Sequence, residues 1–218
     1  MKKAKQRIRD PEGTRQRLVE AGLSLMLRQG FNATSVDQVC AEAGLTKGSF
    51  FHHFASKEDL AGAVVDYFAD YGTILYSAAW RDPATDPLDQ IHALFNIMTE
   101  FTQRPDDACV CMIGMMAQET AAENPAMRDR CAGHLSNWSI MMKDRLTAAK
   151  ERYPVRTDFD PEHVAWFLNS LWQGSMLIAK TLQNQTMIAE NIRIARDYID
   201  RLFVLKKTTK TKRESHAL

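Results

Sequence analysis

The residues whose types and spacing are most specific lie in one stretch, TSVDQVCAEAGLTKGSFFHHFASKEDL, at 34–60. Thr34 can cap a short helix, with Asp37 at the capping-box distance and Val36, Val39 and Cys40 as its apolar side. Gly44 is free to take the positive φ of a tight turn, and Leu45 plugs the corner behind it. Thr46 caps a second helix that opens Lys47, Gly48, Ser49. Helix, short glycine turn, helix is the outline of a helix-turn-helix, whose second helix enters the major groove by its leading end. Lys47 would reach a phosphate or a guanine edge. Gly48 would let the backbone approach closely, and Ser49 would hydrogen-bond a base or a phosphate. The amides of the two helix starts, at Thr34-Ser35 and Thr46, would attract phosphate. Phe50 and Phe54, at i and i+4, face the core. Phe51, His52 and His53 face the duplex, and Lys57 stands within phosphate range. A generic helical hairpin shares this spacing, so spacing alone leaves both readings open.

No other constellation is as specific. The chain has no GxSxG, HExxH, Walker or dinucleotide motif and no specially placed carboxylate pair, so no enzyme and no cofactor are expected. Four cysteines in 218 residues do not make a disulfide scaffold; a reduced, cytoplasmic protein is expected, although spacing does not exclude one bridge. Cys109 and Cys111 form C-x-C without a second nearby pair or a His at ligand spacing, a poor zinc site, and no metal is expected.

The elements that must position these residues are helical throughout: helical periods recur and no long apolar–polar alternation appears. The fold class is all-α. Residues 1–13, with Pro11 and Gly13, are expected as a flexible basic arm. A first helix follows from Thr14 to Gln29, ended by Gly30. Ser56 with Asp59 opens another helix. Asp86-Pro87, Asn124-Pro125 and Asp160-Pro161 each place a side-chain acceptor at N-cap and proline at N1. The spacing predicts helices over about 57–80, 87–103, 108–122, 125–152, 161–183 and 187–206, nine with the three near the N-terminus.

Charge divides the chain in the same places. Residues 1–57 carry 10 Lys/Arg and 5 Asp/Glu, a net of +5; residues 58–205 carry 13 and 21, a net of −8; residues 206–218 carry 5 and 1, a net of +4. A basic head beside an acidic middle suits a protein that meets a polyanion at one end. The tail cations Lys206, Lys207, Lys210, Lys212 and Arg213 read as a solvated, disordered tail. With 45% hydrophobic residues the composition is globular. No run of 18 apolar residues suggests a membrane span, and no apolar run follows the basic N-terminus as in a secretory signal.

The segment AGLTKGSFFHHFASKEDL, preceded by the TSVDQVC helix and the GF that ends the first helix, resembles the TetR/AcrR family of bacterial transcriptional regulators over about residues 14–62. The resemblance implies a DNA-binding domain over 14–60, a helical ligand-binding and dimerisation domain over 61–206, and a tail over 207–218. It also implies a homodimer on double-stranded operator DNA, with a small-molecule effector that weakens the binding. Where the family usually carries tyrosines, this chain has Phe51, which has no hydroxyl for a phosphate, and His53, which can still donate.

In the body, Ile188, Ile192, Ala195, Ile199 and Leu202 follow 4-3-4-3 spacing, a narrow seam for a neighbouring helix. The helix before it is apolar nearly all round and supplies Trp166 and Ser170. Periodicity alone leaves bundle core and dimer seam open. The resemblance implies the dimer, and a twofold dimer implies an inverted-repeat operator. Seven of the eleven methionines lie between residues 98 and 142. Methionine fills irregular space. Phe95, Met98, Phe101, Cys111, Met112, Met115, Met116, Trp138, Met142 and Trp172 are therefore the candidate lining for an apolar or aromatic effector, and plain core is the alternative. Gln118, His134, Asn137, Asn169 and Gln173 are the polar candidates. VCMIGMMAQE resembles a G-C-L-x-G-N-L-A-x-E segment of one branch of the family, with Cys111 on its cysteine and Val110 and Met115 replacing its glycine and asparagine. That branch includes sensors of electrophiles and oxidants, and a low-pKa thiolate could act so here. Asp106 and Asp107 stand near in sequence and would raise the thiol pKa, favouring inert cysteine. A DNA-binding protein of the same fold with no effector is the third reading.

Overall fold

The structure, a computed structural model, describes residues 10–82, 85–101 and 110–205. Among them are nine α-helices, α1 (Pro11–Gln29), α2 (Val36–Ala43), α3 (Lys47–His53), α4 (Lys57–Ser77), α5 (Pro87–Phe101), α6 (Met112–Thr120), α7 (Pro125–Arg152), α8 (Pro161–Leu182) and α9 (Thr186–Leu202), with a 3₁₀ turn at Ala78–Trp80. The fold is all-α, a small helix-turn-helix head on a helical body.

Local chemistry sets most of the boundaries. Asn124 accepts from the Met127 amide at 3.0 Å, Asp160 from Glu162 at 2.8 Å and Asp86 from Leu88 at 2.9 Å, each before a proline that has no amide to satisfy. Asp10-Pro11 is a fourth copy of this signal. Asp10 Oδ1 accepts from the Gly13 amide at 2.9 Å, so α1 begins at Pro11 and residues 11–13 are helix rather than flexible arm. The first cap of the helix-turn-helix also differs from expectation. Ser35, not Thr34, caps α2, and Gln38 closes the capping box: Ser35 Oγ accepts from the Gln38 amide, whose side chain accepts back from the Ser35 amide at 2.9 Å. Gly44 takes φ 63° at the turn between α2 and α3, the left-handed region a Cβ disfavours.

Two cores hold the chain. One joins α5, α7, α8 and α9 around Phe95, Leu146, Trp172 and Ile199. The other fills the head with Leu18, Met26, Phe31, Phe50, Phe54 and Leu60, and also takes in Met112, Ile113 and Met116 of α6 with Met127 and Cys131 of α7. α6 thus belongs to the head's core as much as to the body. A lone antiparallel bridge, Val155 to Phe203, ties the end of α9 to the α7–α8 loop. The predicted start of a helix at 108 lies outside the described residues; where the chain is described again, Cys111 is the N-cap of α6. The tail from 206 onward also lies outside them.

Candidate nucleic-acid interface and effector cavity

α3 is positioned by its buried side. Phe50 is completely buried and Phe54 nearly so, their rings tilted against each other with centroids 5.8 Å apart, while Leu45 packs at the corner. Substituting Phe50 by Ala would cost about 3–5 kcal/mol by the usual cavity arithmetic. With that side fixed, Thr46, Lys47, Gly48, Phe51 and His52 are exposed, and Ser49 and His53 partly so. Thr46 Oγ1 accepts from the Ser49 amide at 3.2 Å and sets the leading end of α3. Phe51 is 58% exposed, so its ring is not packing in the core. The first turn of α1 borders this face, where Asp10, Pro11 and Thr14 share a recess with Gly48, Ser49, His52 and His53.

Three candidates are otherwise engaged. Thr34 is 2% exposed and its hydroxyl donates to the Gly30 carbonyl at 2.7 Å, so it has no free side chain for phosphate. Lys57 turns inward: its Nζ donates to the Phe31 carbonyl at 3.0 Å and lies 4.1 Å above the Phe31 ring, clamping the α1–α2 turn. Lys47 is exposed but paired with Asp37 of α2 at 2.8 Å, and that hydrogen bond raises the Lys47 pKa above its ordinary value. Beyond the capping role its spacing suggests, Asp37 compensates the leading cation of the candidate DNA face. Ser35 is exposed beside it, with its hydroxyl engaged by the cap.

The body contains a cavity of about 100 Å³ between α4, α6, α7 and α8. Of the predicted lining it receives Phe101, Cys111, Trp138 and Trp172, and of the polar candidates His134, Asn137, Asn169 and Gln173. An adjoining recess of about 400 Å³ shares Cys111 and Gln173 and adds Met115, Gln118 and Lys180. Phe95, Met98 and Met142 pack in the body core. Met112 and Met116 pack in the head core. All five are excluded from the cavity because their faces meet neighbouring helices. The sequence offered no reason to choose Phe68, Tyr71, Thr73 and Tyr76, yet α4 supplies this whole wall. Burial pushes the Tyr76 phenol up, so it is a neutral hydroxyl. Asn169 is satisfied by the Leu135 carbonyl and Ser139 Oγ, each at 2.9 Å, and fastens α7 to α8. His134 joins the cavity wall to Asp66 of α4 at 2.9 Å, and Arg130 pairs with the same carboxylate.

Cys111 sits at the N-terminus of α6, where its Sγ accepts from the Gly114 amide at 3.5 Å. A helix start lowers a thiol pKa. Burial outweighs that here and raises it. Cys131 is likewise pushed up by burial, to about 11. Cys40, Cys111 and Cys131 are free thiols, and Cys109 lies outside the described residues. Among the described residues no cluster of His, Cys, Asp or Glu could hold a metal ion, and no helix is long and apolar enough to cross a membrane.

The predicted dimer seam on α9 is covered within the protomer. Ile188, Ile192, Ala195 and Ile199 are buried inside the protomer, where α9 packs on α5 and α8, and Leu202 is packed against the same core. Trp166 and Ser170 remain at the surface. With them stand Phe167, Leu177, Ile178 and Leu182 of α8 and Ile194 and Tyr198 of α9, all exposed. Phe167 and Tyr198 touch edge to face at 5.4 Å, which joins the two helices into one apolar surface.

Comparison with known proteins agrees with this architecture. Residues 18–64 match the model of the bacterial regulatory proteins of the tetR family, and residues 87–195 match the tetracyclin repressor-like C-terminal domain. The HTH-type transcriptional repressor DhaR of Mycobacterium sp. strain GP1 is 28% identical over 172 residues, 78% of this chain and 84% of DhaR. The transcriptional regulator AcuR of Cereibacter sphaeroides is 27% identical over 165 residues, 76% of this chain and 75% of AcuR. A crystal structure of a TetR transcriptional regulator from Chloroflexus aurantiacus superposes with a TM-score of 0.80 at 25% identity, over 91% of this chain and 100% of that one. The matched head, the matched body and the three-dimensional likeness make this chain a member of the TetR family, a DNA-binding transcriptional regulator.

Proposed function

We propose that the protein is a dimeric repressor released from an inverted-repeat operator when a small, uncharged, largely apolar molecule enters the cavity between α4 and α8. The observation that carries this reading is the cavity itself. Aromatic rings from four helices, α4, α5, α7 and α8, enclose it, and α4, the helix that enters it, also carries the head through Leu60 and Val64. At about 100 Å³ it is smaller than the ~150 Å³ engineered cavity that accepts benzene, so the ligand is compact or widens the site as it binds. Among the described residues the lining has no Lys, Arg, Asp or Glu, and His134 is already engaged with Asp66, which favours an uncharged ligand. Amides and hydroxyls of Gln173, Asn137 and Tyr76 offer orientation.

On DNA, α3 from each protomer would lie in successive major grooves, with Lys47, Gly48, Ser49, Phe51, His52 and His53 facing the duplex and Ser35 near the backbone. Phe51 supplies the apolar contact suited to a thymine methyl. The exposed face of α8 and α9 would pair with its twofold copy, burying Phe167, Leu177, Ile178, Ile194 and Tyr198. Thiol sensing through Cys111 is the weaker reading, because burial holds that thiol in its unreactive, protonated form. The test is selection of duplexes from random sequence, followed by gel shift with and without a panel of small neutral aromatic and aliphatic compounds. An inverted repeat released by one of them supports the proposal; a duplex bound regardless of any compound, including electrophiles, favours an effector-independent role.

A further inference from the structure

Glu119 lies at the end of α6 away from the cavity and reaches into the head. Its Oε1 accepts from the Phe31 amide at 3.2 Å and its Oε2 from the Asn32 amide at 2.9 Å. Both amides belong to the turn between α1 and α2, which Lys57 clamps from its other side through the Phe31 carbonyl. The fit is close. Gly30, at φ 87°, lies just before these amides, and a Cβ there would stand 2.7 Å from Glu119 Oε1. Charge-assisted bonds to two adjacent amides hold position more tightly than neutral ones.

The other end of α6 is fitted equally closely, against the cavity. Cys111 and Ile113 line it, and a Cβ on Gly114 would stand 2.5 Å from Oε1 of Gln173, itself a lining residue on α8. Glu119 lies six positions beyond Ile113, about 9 Å along the helix. Met112 and Met116 of the same helix are locked into the head core. α6 is thus a short rod with a cavity contact at one end and a two-point grip on the DNA-binding head at the other.

We infer that Glu119 is the positioning residue through which cavity occupancy is communicated to the head: displacement of α6 at Cys111–Gly114 moves the α1–α2 turn, and with it α2 and α3, through the Glu119 carboxylate. This rests on the ligand-responsive reading above. It adds the residue that carries the response.

The test uses the full-length homodimer and needs no identified ligand. Gly114→Leu serves as a wedge at the cavity end of α6, with Gly114→Ala as a milder wedge should the larger side chain prevent folding. Glu119→Gln keeps the shape but turns an NH₂ toward one of the two amides. Two quantities are read: hydrogen exchange of the Phe31 and Asn32 amides, and affinity for the selected duplex. E119Q should speed exchange at both amides about tenfold. The wedge should change both quantities fivefold or more with Glu119 intact and less than twofold in E119Q, a non-additivity that a merely stabilising side chain would not give. Equal wedge effects in the two backgrounds, or unchanged exchange in E119Q, would overturn the inference. A wild-type chain that binds no selected duplex refutes the regulator reading instead, and the exchange measurement still decides the role of Glu119.

Discussion

At the residue scale, the most consequential pair is Lys47 and Asp37. An exposed ion pair contributes little to stability. What it does is hold the leading cation of α3 in place with its charge compensated, so that a duplex bound in the proposed way would exchange a carboxylate for a phosphate or a base edge. Lys47→Ala should lower affinity for the selected duplex on the order of tenfold while leaving the dimer intact, as gel shift and sedimentation would measure. Asp37→Asn should act in the opposite sense. The freed ammonium should bind DNA of any sequence a few-fold more tightly, so the ratio of specific to non-specific affinity should fall. If D37N weakens non-specific binding, the pair does not shield the DNA face. These side chains were legible from spacing: Phe50 and Phe54 face inward, and Lys47, Phe51 and His52 face outward. The engagement of Thr34 and Lys57 was not, because both make their bonds to the turn at Gly30–Phe31, outside the helix-turn-helix periodicity that suggested them.

At the scale of elements, capping chemistry decides where helices begin. Side-chain acceptors before proline start α5, α7 and α8 as expected, and Asp10-Pro11 starts α1 by the same means. The basic residues upstream masked that fourth signal, because a charged N-terminal segment reads as an arm whatever follows it. Ser35 shows the sensitivity of the helix-turn-helix to one position. Its capping box with Gln38 orients α2, on which α3 rests. Ser35→Ala should cost about 1 kcal/mol in denaturant unfolding. Because Thr34 only donates to the Gly30 carbonyl and does not cap α2, it should not substitute for the lost cap; a neutral S35A would mean that it does.

At the scale of the whole molecule, two surfaces change meaning once the chain is folded. α9 carries two apolar strips. The stronger one, Ile188 to Ile199, is spent inside the protomer, and the thinner one, Ile194 and Tyr198, is left outside beside the exposed rows of α8. Ile178→Glu should therefore dissociate the dimer in sedimentation while circular dichroism stays helical, whereas Ile192→Asp should unfold the protomer. The reverse pattern would restore the 4-3-4-3 seam as the interface. The charge map also resolves differently. The +5 of residues 1–57 comes from Lys2, Lys3, Lys5, Arg7 and Arg9, since residues 10–57 carry five cations and five anions. Phosphate neutralisation sets the salt dependence of binding. Deleting residues 2–9 should flatten the plot of log affinity against log salt by several units, against about two for Lys47→Ala in both protomers. An unchanged slope after the deletion would place the phosphate contacts elsewhere.

The sequence by itself determined the helical class, most helix starts and the outward face of α3. Each depends on interactions within a few residues, such as a cap, a proline, a glycine turn or a 3.6-residue period. Only the tertiary structure decided which apolar side chains line the cavity, which strip of α9 is left exposed, and that α6 closes the head's core and grips it through Glu119. Those outcomes depend on which helix meets which, and an apolar period states that a face will be covered without stating by what.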